Sequence, residues 1–211
     1  KGYLAEAIVN FMAFLGWNPG GEKEIYSMKD LISDFSLDKV QKGGAIFNIQ
    51  RLDYLNGVYI RQKSPEELTE LCKPYLPKIE IKQLKKIICL YQERLKKLSE
   101  IVELTDFFFK DVLEYDKGLL KWKDMTDGEV KDALDKLNKI LCDIPDKKWT
   151  KKNLENILMP EAEKVGDRGR LLWPLRIALT GKKASAGPFE VAETLGKEKT
   201  LKRIKYAQSK F

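Results

Sequence analysis

The chain contains no histidine among its 211 residues. That absence excludes the Ser/His and Cys/His nucleophilic pairs and the usual imidazole general base. Cysteine is scarce as well. Cys72, Cys89 and Cys142 are widely spaced, odd in number and embedded in apolar helical patterns, which indicates neither a disulfide framework nor a zinc site and predicts small core residues. No apolar run approaches the ~20 residues that a membrane span needs. The first residues lack the basic, apolar and small-residue order of a signal peptide, so no membrane partner is expected and the predicted location is cytoplasmic. Strand signals are few throughout, which predicts an all-α architecture.

What is present is a foldable, charged chain. Hydrophobic residues make up 43% and charged residues 34%, too apolar and too aromatic for disorder. The formal net charge is +7, and it is unevenly placed. Residues 1–60 and 61–142 are each within one charge of neutral, so the excess of seven lies in residues 143–211. A basic module attached to two neutral ones suits a polyanion partner, because clustered Lys and Arg release counterions from phosphates. A merely soluble basic surface is the plainer alternative.

Helix punctuation is frequent. Leu4, Ile8, Phe11 and Leu15 recur at helical spacing before the stop "WNPGG". Ser27 with Asp30 opens "MKDLISDF" as a capping box, Gly43-Gly44 breaks the segment once, and Asn56-Gly57 is expected to close the helix that carries Leu52 and Leu55. Ser64, Pro65 and Glu67 start a new unit, followed by one apolar face through Leu84, Ile87, Ile88, Tyr91, Leu95 and Leu98. Thr126 with Glu129 marks another start, and "DIPDKK" reads as a linker where the charge shifts. Beyond it Thr150 caps "KKNLENIL", and Pro188 opens "PFEVAETL" with Gly196 just past its end. Pro174 inside "GRLLWPLRIALTG" is tolerable if that helix begins near Leu172 or Trp173, since a first-turn proline loses no intrahelical bond.

No catalytic constellation emerges. "TGKKAS" has Arg176 where a phosphate-binding loop needs its first glycine, and "GKEKT" fails too. The pairs Glu66-Glu67 and Glu161-Glu163 are explained by caps and solvated faces. A recognition surface remains: Arg61 beside Tyr59, Arg94 near Tyr91, Arg176 near Trp173, and Lys182-Lys183 before Phe189. Arginine forks onto base edges and aromatics stack on unpaired bases, which is how single-stranded RNA loops are read. Taken singly, Tyr91, Trp173 and Phe189 read as core rather than contact.

Five ordered blocks then resemble the carboxy-terminal part of bacterial glutamyl-tRNA synthetases: "GYLAEAIVNFMAFLGWNPGG", "FSLDKV" with "FNIQRLDYLNGVYIR", "YQERLKKLSEI", "LLWPLRIALTG" and "GPFEVAETLGKEKTLKRI". The resemblance spans essentially the whole chain. It implies a carboxy-terminal fragment, catalytically silent by itself and without a cofactor of its own. The whole enzyme would activate glutamate with ATP and Mg²⁺ and esterify it to tRNA-Glu. By the same resemblance residues 1–62 form a stem-contact region, residues 63–142 and 143–211 form two helical anticodon-binding subdomains, and the protein is a monomer.

The resemblance also implies roles. Arg94 occupies the place of the arginine that reads the third anticodon base in enzymes that discriminate against tRNA-Gln. A guanidinium only donates, so it suits the acceptor edge of cytosine. Arg176 matches another anticodon-contacting arginine. The segment Ser185, Ala186, Pro188 and Phe189 matches the stretch that packs against the anticodon bases, although Ala186 and Pro188 differ from the residues common there. Arg61, Lys182 and Lys183 are expected as further tRNA contacts. A helical adaptor with a protein partner and no RNA selectivity is the competing class, and a complete small enzyme is excluded by the residue inventory.

Overall fold

The structure is a computed structural model describing residues 1–41, 43–44 and 46–211. Among the described residues it holds eleven α-helices and no strand beyond one isolated antiparallel bridge between Trp17 and Val40. These residues form two compact units, Lys1–Glu103 and Leu104–Phe211. The division falls within the stretch expected as a middle module, and the linker at 143–148 lies inside the second unit.

In the first unit α1 (Ala5–Gly16) packs on α3 (Ile49–Gln62), with α2 (Met28–Asp34) beside α1. Phe11, Leu52 and Leu55 form one core cluster, and Trp17, Tyr26 and Leu31 form another. A buried polar hub ties these elements together. Asn10 accepts from the Tyr26 amide through Oδ1 at 2.7 Å and donates through Nδ2 to the Glu24 carbonyl, while the Tyr59 hydroxyl lies 2.6 Å from the Tyr26 carbonyl. Then α4 (Pro65–Cys72) packs on α5 (Ile81–Cys89). The capping boxes at Ser27/Asp30 and Ser64/Glu67 form as expected.

Three local expectations fail here, each for a tertiary reason. Asn56-Gly57 does not end a helix, because α3 runs through it to Gln62 with both residues buried. The face from Leu84 to Leu98 is buried throughout, yet α5 stops at Cys89 and the chain turns before Tyr91, Leu95 and Leu98 enter the core. Burial requires only that apolar side chains point inward, not that one helix carry them. Of the three cysteines only Cys72 is buried, whereas Cys89 and Cys142 end their helices exposed.

Helix α6 (Ile101–Phe109) leads into the second unit, where α7 (Asp127–Cys142) and α11 (Lys197–Gln208) pack on α9 (Gly169–Thr180). Helices α8 (Lys151–Glu163) and α10 (Pro188–Leu195) pack on α9 and on each other. Thr126 with Glu129, Thr150 and Pro188 open their helices as the sequence predicts. Helix α9 begins at Gly169, so Pro174 stands inside it rather than in its first turn. Pro174 cannot donate to the Arg170 carbonyl, and burial of Leu171, Leu175, Ile177 and Leu179 offsets that loss at ~1.5–3 kcal/mol per side chain. Gly181 then closes α9 in the left-handed region at φ 67°, its amide donating to the Ile177 carbonyl at 2.8 Å.

Two carboxylates make this unit acid-sensitive. Lys117 and Lys121 hold the Asp127 carboxyl down at about 2, and Lys136 and Lys164 do the same to Glu161. A folded-state value below the ordinary 3.8 or 4.5 stabilises above that ordinary value and ceases to as pH falls through the folded one. The thermal midpoint is therefore expected to drop between about pH 4.5 and pH 2. Asp127→Asn should flatten that drop, and an unchanged profile in the variant would refute the assignment.

Candidate nucleic-acid interface

Arg94 lies at the end of a short 3-10 turn, Gln92–Arg94, and its side chain is exposed. Both flanks of the turn are anchored, with Tyr91 and Leu95 completely buried. The Arg94 and Leu95 amides both donate to the Tyr91 carbonyl, at 2.8 and 3.1 Å. Gln92 turns back toward the end of α3, where its Nε2 donates to the carbonyls of Ile60, Arg61 and Lys63 at 3.1, 3.3 and 2.8 Å. The Ile60 carbonyl also accepts from the Lys63 amide at 3.2 Å, so the Gln92 side chain adds a further donor to the acceptors at this helix end. Asn56, within α3, donates to the carbonyl of Lys96 on the far side of the turn.

Gly57 explains how the turn comes so close. A Cβ at that position would stand 3.2 Å from both the Leu95 carbonyl oxygen and Arg61 Nη1, so only a glycine lets the 95–96 backbone lie against α3 without displacement. The same two distances put the half-buried Arg61 guanidinium beside the Arg94 turn. The structure thus places Arg61 beside the Leu95 backbone, next in sequence to Arg94. Their aromatic neighbours are not part of any open surface, since Tyr59 and Tyr91 are both buried in the core.

In the second unit the loop after α9 gathers the other residues. Arg176 projects from α9 into it, and Nη1 donates to the Ser185 carbonyl, the Ser185 hydroxyl and the Ala186 carbonyl at 3.1, 2.8 and 3.1 Å. One end of the guanidinium therefore shapes the loop from within. Ser185, Ala186, Pro188 and Phe189 are all buried, Phe189 at 7% exposure, so the loop presents little of these four side chains. Lys183 is exposed and makes no ion pair among the described residues, and Ala184 is exposed beside it. Lys182 is half-buried, with Nζ 2.5 Å from Asp106 Oδ1. Burial pushes the Asp106 carboxyl up, but Lys110 and Lys182 outweigh it and hold the group below the usual carboxylate range. A cleft of about 470 Å³ opens here, between the end of α6 and the turn at Thr180, Gly181 and Lys182.

The residues that support these features are the ones sequence reasoning passed over. Gln92 carried no signal, because its acceptors lie 29 to 32 positions away. Asn56 and Gly57 carried a misleading one, reading as a helix stop. The "TGKK" loop does not form a nucleotide phosphate cradle, because the Gly181 amide is engaged at the helix end, and no metal-binding cluster exists among the described residues. The acidic pairs are accounted for by local partners, Glu67 by the Ser64 cap and Glu66 by Lys85, Glu161 by Lys136 and Lys164, and Glu163 by Arg168.

Comparison with known proteins places this geometry. Residues 67–208 match the family described as Anticodon binding domain. The chain is 39% identical over its whole length to a glutamate–tRNA ligase of Clostridium botulinum and 40% identical to that of Clostridium tetani, and it spans 44% of the length of either. Among solved structures it superposes on a glutamate tRNA ligase from Elizabethkingia meningosepticum with a TM-score of 0.88 at 30% identity, covering 99% of this chain and 41% of that one. A glutamate-tRNA synthetase from Elizabethkingia anophelis gives 0.82 at 29%, with the same coverage. With an all-α fold, matching residues over two thirds of its length and whole-length similarity to glutamate–tRNA ligases, the chain belongs to the anticodon binding domain family.

Proposed function

We propose that the chain is the tRNA-reading portion of a glutamate–tRNA ligase, and that Arg94 selects cytosine at the third anticodon base of tRNA-Glu against the guanine of tRNA-Gln. The observation that carries this reading is an exposed guanidinium on a turn buried and hydrogen-bonded on both flanks. A turn held that way presents its arginine to an acceptor edge without ordering of the backbone on binding. Arg61 would add a backbone phosphate contact beside it. In the second unit Lys183 and Lys182 would supply sequence-independent phosphate contacts, with Arg176 and residues 185–189 shaping the surface that meets the anticodon bases.

Under this reading residues 1–62 are the stem-contact region and residues 63–142 and 143–211 the two anticodon-binding subdomains. Exposed Ile32, Leu37, Ile46 and Phe47 in the first region suit a face covered by the rest of a ligase. That remaining part would bring ATP and Mg²⁺ and carry out glutamate activation, and this chain would catalyse nothing alone. The same exposed apolar residues also favour the second reading, a helical adaptor for a protein partner.

Binding of the chain to tRNA-Glu, and to the same tRNA with its third anticodon base changed from C to G, separates them at two salt concentrations. The ligase reading expects a steep salt slope and a preference for C. Arg94→Gln should reduce that preference by ~1–3 kcal/mol, about 5- to 150-fold. Equal losses for both tRNAs would remove the specificity role, and binding without any salt slope would favour the adaptor.

A further inference from the structure

We propose that Gln92 is a positioning residue for Arg94, setting the angle at which the guanidinium leaves the protein; this rests on the third-base reading above. The geometry is specific to a carboxamide. Its two Nε2 protons face three carbonyls at the end of α3, and the 2.8 Å bond to Lys63 is the shortest. Two protons serve three acceptors, so one proton is shared between two of them. No other side chain of this length places two donors at that point.

The connection to Arg94 is short and mechanical. Gln92 opens the turn that Arg94 closes, and the Arg94 amide donates back to Tyr91, the residue just before Gln92. Fastening residue 92 to α3 therefore fixes the orientation of the whole turn. Asn56 fastens the other side through Lys96, so Arg94 stands between two attachments to one helix. If the Gln92 attachment is lost, Tyr91 and Leu95 remain buried, but the segment between them can rotate. An arginine that must meet a base edge bidentately tolerates little such rotation, whereas a phosphate contact tolerates much.

Gln92→Met keeps length and apolar volume but removes both donors, and Gln92→Glu replaces them with acceptors that repel the three carbonyls. Two readouts on the 211-residue chain test the proposal. Amide hydrogen exchange at Arg94 and Leu95 is expected to speed up about tenfold in Gln92→Met and further in Gln92→Glu, relative to amides of α1. Preference for C over G at the third anticodon base is expected to fall about tenfold in Gln92→Met, with salt slope and overall melting behaviour retained. A residue that only stabilised the fold would lower the melting midpoint and leave the C-to-G ratio unchanged at temperatures where the chain is folded.

The outcomes are distinguishable. Unchanged exchange at Arg94 and Leu95 overturns the proposal whatever the tRNA measurements give. Faster exchange with an intact preference that Arg94→Gln abolishes overturns it too, while leaving Arg94 as the reader. A preference unaffected by Arg94→Gln defeats the third-base reading itself, and the proposal with it. Faster exchange with a preference lost in both variants supports it.

Discussion

Arg203→Leu is expected to lower the stability of the second unit by about 3–5 kcal/mol, the largest effect of any single substitution considered for this chain. Arg203 is 2% exposed, and from within α11 its guanidinium joins two helix ends. Nη1 donates to the Leu179 carbonyl near the end of α9, and Nη2 donates to the carbonyls of Phe107 and Lys110 around the end of α6, at 2.5 and 2.8 Å. Burial is costly for the charge and draws its pKa down to about 10, so the group remains protonated at neutral pH. Leucine would avoid that cost but take the donor from the buried Leu179 and Phe107 carbonyls, at ~1–3 kcal/mol each, and from the partly buried Lys110 carbonyl. Lysine in its place would carry the charge without the planar fork and should recover little. Denaturant unfolding of Arg203→Leu and Arg203→Lys measures both, and a loss under about 1 kcal/mol for either would show that the carbonyls find other partners.

Asn56→Leu is expected to cost the first unit about 2–4 kcal/mol. The Asn56 side chain is wholly buried within α3. Its Oδ1 accepts from the Leu4 amide at 2.8 Å, and its Nδ2 donates to the Lys96 carbonyl and, at 3.4 Å, to the Gly2 carbonyl. One amide thus links the start of α1, the middle of α3 and the segment behind Arg94. Asn56→Asp is the sharper variant. It keeps an acceptor for Leu4 but presents a buried carboxylate to two carbonyls, which raises the folded-state pKa of the new group. A carboxyl whose folded value is raised destabilises as pH climbs above its unfolded value of ~3.9. The gap between the Asn56→Asp and Asn56→Leu variants should therefore widen from about pH 4 upward, and a gap independent of pH would mean that the introduced carboxylate reaches water.

The parts of this fold that could be read in advance are those decided within a few residues. Ser27, Ser64, Thr126 and Thr150 each accept from the amide three positions on, so the start of a helix is written where it occurs. Pro188 and Gly196 bracket α10 for equally local reasons. The signals that misled were local as well, but distant contacts overrode them. Asn56-Gly57 has the chemistry of a helix stop, yet the Lys96 carbonyl occupies the amide of one and the Leu95 backbone fills the space beside the other. Pro174 has the chemistry of a helix start, yet packing carries α9 back to Gly169.

The candidate interface divides in the same way. Sequence by itself determined an all-α chain, most of its helix starts, the basic last third and the identity of Arg94 and Arg176 as arginines worth attention, because composition, capping and family resemblance need no long-range contact. Only the tertiary structure decided that Arg94 stands exposed on a pinned turn while one end of Arg176 is turned inward to hold Ser185 and Ala186. It also decided that Ser185, Ala186, Pro188 and Phe189 are largely buried and that Gln92, Asn56 and Gly57 pack or bond around the turn that carries Arg94. The physical reason is that a side chain's partner is chosen by what lies within about 3 Å in space, and for Gln92 and Asn56 that neighbour is tens of positions away along the chain, while for Arg176 it lies beyond the end of its own helix.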